Sequence, residues 1–351
     1  MNTPVFSKEK DSLPKTTHYV DAFLPQLKEL FFIENNSFIG IPKKTAYKTE
    51  EFTLFCESMK DSFIYVHFPW NGYTVKTVEK DRYLSLKTNR NQDLITKEEQ
   101  EILRNYHVAV LGLSVGSNIA FVLTQAGISN DIILADFDEL DTTNLNRILA
   151  GIHQVGLNKC EVAAQHIYQD NPFANVSMFP EGVSEENLEK LLSEGKLDCI
   201  IEEIDDIPMK IATRRLAIKY NVPIVMITDN GDGVVLHIER YDLGHDRIFG
   251  HDLAYWENIL AGAEMTKETA GKIIIGDIVG GLQFVDPKMI KSVARVLNKE
   301  LVSWSQLGSA ALLGGVMATV AIKEIALGHS NEKDVRVHVN PLTGILFGTH
   351  A

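Results

Sequence analysis

Cysteine is scarce in this chain: three among 351 residues, Cys56, Cys160 and Cys199, with no two at the spacing of a metal-ligand pair. A structural zinc held by paired cysteines is thereby excluded, and three thiols with no evident pairing suit a reducing compartment. Cys199 falls inside an apolar run and Cys160 among helix-forming residues, so both read as inert filler rather than nucleophiles. Positive charge is also in short supply. Lys and Arg number 34 against 47 Asp and Glu, a net charge of −13 with no basic run to offset it, which disfavours nucleic acid and anionic membrane as partners. No apolar signal core opens the chain. The most apolar stretch, 307–322, stops at Lys323-Glu324; it is too short to span a bilayer, and its Gly and Ala content suits close helix packing. Repeats and low-complexity segments are absent. The expectation is a soluble cytoplasmic enzyme. At 45% apolar, a chain of this length buries a large core and divides into two domains or one with an appendage.

What is present is an ordered set of polar residues at 108–159. His-Val-Ala-Val-Leu (107–111) is a short apolar run of the kind that forms a buried parallel strand, followed at once by Gly112-Leu-Ser114-Val-Gly116-Ser and an apolar helix from about Asn118 to Gln125. Glycine in such a turn lets backbone approach a phosphate, and the N–H groups opening the helix face the anion. Ser114 and Ser117 occupy the second and third glycine places of a dinucleotide turn, so this signal is weak alone. The next strand, 132–135, ends in Asp136-Phe-Asp138. Asp136 lies 24 residues beyond Gly112, where a carboxylate at a strand tip accepts ribose hydroxyls. Asn144, Arg147 and Lys159 then bring an amide and two cations toward the phosphates. The duller reading of Asp136 and Asp138 is that they cap the following turn, and that of Arg147 and Lys159 is solvated surface charge.

Taken together, Asp136-x-Asp138, Asn144-x-x-Arg147 and Gly156-x-x-Lys159 after a glycine turn resemble the ThiF-type, ubiquitin-activating superfamily of adenylating enzymes. The resemblance covers 88–245 and about 305–350. It implies that Leu197-Asp-Cys-Ile-Ile leads to a magnesium-binding aspartate, best matched by Asp205 with Asp206 as the fallback; the duller reading is a cap for a helix entering at Pro208, which suits Asp206 better than Asp205. It also implies that Arg90, in Asn89-Arg90-Asn91-Gln92, reaches into the site of a neighbouring subunit, and that 311–324 is the small-residue helix closing the domain. Two departures stand out: the glycine turn is one residue short and lacks the family's glycine pair, and the Cys-x-x-Cys pairs and catalytic cysteine of many relatives are missing. No thioester relay is expected.

The expected fold is α/β: a Rossmann-like, doubly wound, mainly parallel sheet with an N-terminal α+β appendage. The appendage is 1–87, with a helical stretch at 20–32 and β-like runs Phe63–Phe68 and Tyr73–Val78. The adenylation domain is 88–351, made of a nucleotide-binding half (88–245), a mostly helical crossover region (246–304), and a closing helix with terminal strands (305–351), the last at 335–339 and 344–347 around Asn340-Pro-Leu-Thr. His245-Asp246 and His251-Asp252 in the crossover region are either ligands or ordinary solvated loop residues.

By the resemblance, ATP and Mg²⁺ are the cofactors, a carboxylate (peptide or protein C-terminus, or small acid) is the substrate, and the assembly is a homodimer. Gly112, Ser114 and Gly116 cradle the nucleotide; Asp136, Asp138 and Asn144 hold its ribose and phosphate region; Arg147, Lys159 and Arg90 stabilise the triphosphate; Asp205 binds the metal. The product is an acyl-adenylate. The nucleophile that captures it is left open among an amine, an amide nitrogen, a sulfide carrier and an internal side chain of a bound peptide. Two other classes use parts of the same set. An NAD(P)-dependent oxidoreductase accounts for Gly112, Gly116 and Asp136 only, and a non-catalytic nucleotide-binding subunit accounts for binding without turnover.

Overall fold

The computed structural model describes residues 3–262, 264–341 and the backbone of 344–350. It divides into two compact units, Met1–Lys97 together with Asn171–Phe173, and Glu98–Asp170 together with Ala174–Ala351.

The first unit carries a four-stranded sheet of β1 (Val5–Ser7), β2 (His18–Asp21), β3 (Phe63–Phe68) and β4 (Tyr73–Val78), in the order β1-β3-β4-β2. The β3–β4 hairpin occupies the two β-like runs, and β1 and β2 flank it, antiparallel and parallel respectively. The stretch expected to be helical from residue 20 begins as strand. Asp21 accepts the Phe23 N–H at 3.0 Å, so the helix starts at Phe23 and runs to Glu34. That helix buries Phe23, Leu27 and Leu30 against Met59 and Val78, and Phe31 against Ala46 and Phe52.

The second unit is built on an eight-stranded sheet. Its strands are β5 (Val108–Leu111), β6 (Asp131–Ala135), β7 (Asn175–Phe179), β8 (Cys199–Glu202), β9 (Ile224–Asn230), β10 (Gly233–Glu239), β11 (Asp334–Asn340) and β12 (Gly344–His350), in the order β12-β11-β10-β9-β8-β5-β6-β7. From β7 to β9 all neighbours are parallel, and β10 to β12 extend the sheet antiparallel. Every residue of β5, β8 and β10 is buried, as a sheet covered on both faces requires. The chain winds outward from β5 through β6 to β7, then returns to β8 on the other side. Strand order therefore reverses between β5 and β8, which is where such sheets open a crevice at their carboxyl ends. Of the terminal hairpin, Leu342 and Thr343 lie outside the described residues.

Two helix boundaries bear on function. The helix after β5 begins at Val115 rather than near Asn118 and ends at Ala126, where Gly127 takes the left-handed conformation (φ +73°) that favours glycine. The closing helix runs Gly308–Ala326, longer than the apolar stretch ending at Lys323 suggests, and by length and composition alone it could cross a membrane. In the fold its small residues pack it against the protein. A Cβ on Gly315 would lie 3.0 Å from the Asn118 carbonyl oxygen, and one on Gly314 would lie 2.7 Å from Ile227 Cγ2. The crossover region supplies helices Leu253–Gly262, Lys267–Ile273 and Pro287–Leu297. It covers β9 with a core of Ile248, Phe249, Trp256 and Met226.

Under that cover lies a chain of buried charges. Glu202 at the end of β8 binds Lys210 Nζ at 3.0 and 3.1 Å and Arg214 at 2.5 Å, both from the helix Ile207–Tyr220. Arg214 in turn binds Glu239 of β10 at 2.7 Å and stacks on Phe249. Two acids and two bases cancel, and the group fixes β8, β10 and the helix in one register.

Candidate active site

The turn after β5 is shaped by what it passes. Gly112 has φ +92°, and a Cβ there would sit 2.3 Å from the Glu203 carbonyl oxygen just beyond β8. Only glycine fits, on both conformational and steric grounds. Gly116, in the first helical turn, lets the helix press on Val110, whose Cγ1 would be 2.8 Å from an added Cβ. Ser114, in the place of a second glycine, stands at the N-cap position without capping; its Oγ instead accepts the Nε–H of Arg147 at 3.0 Å. The shortened turn thus carries an anchor for the motif arginine, a use that the glycine pattern does not foreshadow.

Arg147 is half-buried. Its Nη1 also donates to the Thr143 carbonyl at 3.2 Å and Asn146 Oδ1 at 3.0 Å. Burial lowers the guanidinium's proton affinity, while Asp229 and Asp205 oppose the shift, Asp229 more strongly. These three groups therefore share one electrostatic neighbourhood at the carboxyl ends of β8 and β9. The two adjacent aspartates after β8 have separate roles. Asp206 is the N-cap of the helix Ile207–Tyr220, accepting the Met209 N–H at 2.8 Å. Asp205 is exposed and makes no hydrogen bond among the described residues.

Asp229 is the residue that sequence reasoning missed. Neither of its buried carboxylate oxygens has a hydrogen-bond partner among the described residues, and burial pushes its carboxyl up to about 6 against the pull of Arg147. An acid left bare in this way is a feature of working sites more than of packing. Neighbouring Glu203 accepts the Ile227 N–H at 2.7 Å, and burial raises its carboxyl well above the usual range, opposed chiefly by Lys210.

On the β6 side, Asp136 holds the turn as well as facing it. Its Oδ2 accepts the Leu113 N–H at 2.7 Å and its Oδ1 the Asp138 N–H at 2.8 Å. Each oxygen keeps a second lone pair, so backbone support and ligand binding are compatible. Burial raises this carboxyl and Lys159 opposes the shift most. Lys159 is itself buried, 2.6 Å from Asp138 Oδ2 and 3.8 Å from Asp136 Oδ2. To bind a phosphate it must exchange the more exposed Asp138. Asn144 closes a capping box by accepting the Asp141 N–H at 2.9 Å, which leaves its Nδ2 without a protein partner among the described residues.

Gly112, Ser114, Gly116, Asp136, Asp138, Asn144, Arg147 and Lys159 are thus brought together around the β5 and β6 ends, with Asp205 and Asp229 facing Arg147 from the β8 and β9 ends. Arg90 belongs to the other unit, exposed on the 3₁₀ turn Asn89–Asn91. Burial pushes the Cys160 thiol up to about 12 and raises Cys199 further; at neutral pH neither is a thiolate. His251 binds Asp277 at 3.0 Å and stacks on Tyr255, and His245 stacks on Tyr241, so the crossover histidines serve local packing.

Comparison with known proteins gives a consistent picture. A sequence profile of the ThiF family matches residues 86–343. An uncharacterized protein of Mycobacterium tuberculosis is 31% identical over 277 residues, covering 79% of this chain and 38% of that protein. The tRNA threonylcarbamoyladenosine dehydratase of Bacillus subtilis is 36% identical over 139 residues, 39% of this chain and 54% of the dehydratase. The chain therefore spans between about two-fifths and just over half of the length of these relatives. Among solved structures, E. coli MccB with ATP superposes with a TM-score of 0.51 at 16% identity, covering 91% of this chain and 82% of that one; at that identity the likeness is one of fold.

Proposed function

The chain belongs to the ThiF family, and from that premise we propose that it is an ATP-dependent adenylyltransferase that activates a carboxylate as its acyl-adenylate. The observation that carries this reading is the convergence on Arg147 of two acids and a hydroxyl at the topological switch point: Asp205 and Asp229 beside it, Ser114 holding it. A dehydrogenase has no need of such a group. The match to a relative solved with ATP supports the choice of nucleotide.

The chemistry follows from the groups present. A carboxylate oxygen attacks the α-phosphorus, the bond to pyrophosphate breaks, and charge grows on the α-phosphate oxygens. The turn at Gly112–Gly116 offers backbone N–H groups at a helix start, and Arg147, clamped by Ser114, offers fixed positive charge that needs no reorganisation. Asp136 and Asn144 Nδ2 are placed for ribose and phosphate. Lys159 joins the phosphates when Asp138 releases it. Mg²⁺ prefers hard oxygen ligands, and Asp205, exposed with no protein hydrogen bond, is the carboxylate available to it; the ion would neutralise phosphate charge. Cys160 and Cys199, protonated and buried, are not available to capture the adenylate, which passes in this reading to an external nucleophile. The reading includes a cytoplasmic homodimer acting on a peptide, protein C-terminus or small acid.

The test is pyrophosphate–ATP exchange against a panel of acids and peptides, after ATP–Mg²⁺ binding is measured by calorimetry. Arg147→Ala and Asp205→Ala should each lower exchange by about 10² or more with the fold intact. Exchange near the wild-type rate in both variants overturns the assignment, as does tight NADH binding without ATP binding.

A further inference from the structure

The antiparallel half of the large sheet holds a cavity of about 250 Å³ that none of the residues discussed above as nucleotide ligands lines. One wall is the β9–β10 turn. Asn230 fastens a second wall to it, its Nδ2 donating to the Phe284 carbonyl and its Oδ1 accepting the Asp286 N–H, both at 2.8 Å. The end of β11 forms the third, with His338 and Asn340. The volume is below the 300–1,000 Å³ or so of pockets for drug-sized ligands, which limits an occupant to the scale of one amino acid.

His338 gives the cavity its chemistry. The residue is 5% exposed, and its ring stacks on Phe284 at 4.8 Å. It hydrogen-bonds the Val279 backbone, yet Nδ1 has no partner among the described residues. Burial first and Arg336 second hold the imidazole below its ordinary value, so it is neutral at pH 7. With one ring nitrogen donating to backbone, Nδ1 is assigned as a bare acceptor. The remaining polar lining is the Asp286 carboxylate and the Gln283 and Asn340 amides, while Val234, Val285 and Val339 are apolar and no Lys or Arg among the described residues lines the space. A phosphate or carboxylate would meet the Asp286 charge, and Arg336, which acts on His338, is not among the residues that line the space. An N–H group would meet His338 Nδ1, an acceptor that lacks a donor among the described residues.

We propose that this cavity binds a small nitrogenous ligand, an amine or a primary carboxamide on a short apolar stem, whose N–H donates to His338 Nδ1. Gln283 and Asn340 supplement that contact, Asp286 favours the cationic form, and the valines take the stem. The site is independent of the adenylation reading, because neither its lining nor its charge involves Arg147 or the glycine turn.

Three probes with the same branched five-carbon skeleton test it: isoamylamine, isovaleramide and isovalerate, titrated by saturation-transfer NMR and thermal shift on the full chain. The amine and the amide should bind at least tenfold more tightly than the acid. His338→Phe keeps a ring against Phe284 and removes the acceptor, so it should weaken both by about tenfold or more while ATP binding is unchanged. Asp286→Asn, which retains a helix-capping side chain, should weaken the amine and leave the amide within about twofold. The wild-type series decides even if His338→Phe fails to fold. Isovalerate binding as well as the other two, or no binding of amine or amide at millimolar concentration, overturns the proposal; so does unchanged affinity in a folded His338→Phe. Arg147→Ala should lower pyrophosphate–ATP exchange without altering binding of any of the three, so failure of this site and failure of the adenylation reading are separately visible.

Discussion

Asp229→Asn should make the protein more stable above neutral pH. The carboxyl's ordinary value is 3.8, and burial, net of attraction by Arg147, pushes it up to about 6. Two powers of ten in proton affinity correspond to about 3 kcal/mol. The sign follows from linkage. Because the folded-state value is raised, the folded protein binds the proton more tightly than the unfolded chain, so the contribution to stability is whole below about pH 3.8 and is lost as pH rises through about 6. At pH 8 the wild type therefore carries an ionised, unpartnered carboxylate at a cost that asparagine, similar in shape and uncharged, does not incur. Partial access to water reduces the figure, and a gain of about 1–3 kcal/mol is expected. Urea unfolding of both proteins from about pH 3.5 to 8 measures it: the curves should converge at the acid end, separate between about pH 4 and 6, and run parallel above about pH 7. A difference that is independent of pH, or an asparagine variant less stable at pH 8, refutes the account of Asp229. The gain in stability should accompany a fall in pyrophosphate exchange, as when an acid is kept bare for function.

Arg214→Met should cost about 3–5 kcal/mol, since it strands Glu202 and Glu239 in the interior; a loss below about 1 kcal/mol by urea unfolding would show that the buried charges are not coupled. Cys160 and Cys199, buried with raised thiols, should resist a chromogenic disulfide reagent at pH 8 until the protein unfolds, whereas half-buried Cys56 should react in the native state; rapid modification of either of the first two contradicts their placement. Arg90→Ala and Asp205→Ala should each inactivate a homodimer, but mixing the two should restore about a quarter of wild-type turnover, because half the dimers are mixed and half their sites are intact. Demonstrated subunit exchange with no recovered activity would place Arg90 outside its partner's site.

Much of the nucleotide half was legible in the sequence because its signals are local. A glycine turn follows an apolar run, an acid ends the next strand, and a lysine opens the helix after it, all within 52 residues. The alternation of strand and helix then fixed the fold class, and Asp206 before Pro208 already carried the marks of a helix cap. What was not legible depends on pairing at a distance. Asp229 sits in Ile227-Thr-Asp-Asn-Gly231, which reads as an ordinary hairpin turn; its value comes from Arg147, 82 residues earlier, and from the lack of a hydrogen-bond partner among the described residues. The buried charges were equally hidden, since Glu202 opens the acid-rich stretch Glu202-Glu-Ile-Asp-Asp206, and nothing local marks its first acid as the one that turns inward. A faint signal did exist: Lys210 and Arg214 fall four apart on one helix face, and Glu239 closes a strand that is otherwise apolar apart from His237.

The crowding at Gly112 changes what that glycine can tell a reader of related chains. Its missing side chain is demanded by the Glu203 carbonyl, so the sheet needs this glycine whether or not a nucleotide ever binds. Asp205, exposed and without a hydrogen bond among the described residues, gives the fold almost nothing. If Asp205 holds the metal as proposed, a descendant that had lost catalysis and kept only its shape should retain Gly112 and drift at position 205, so that the lone carboxylate, rather than the conspicuous turn, would separate a working enzyme from its inert copy.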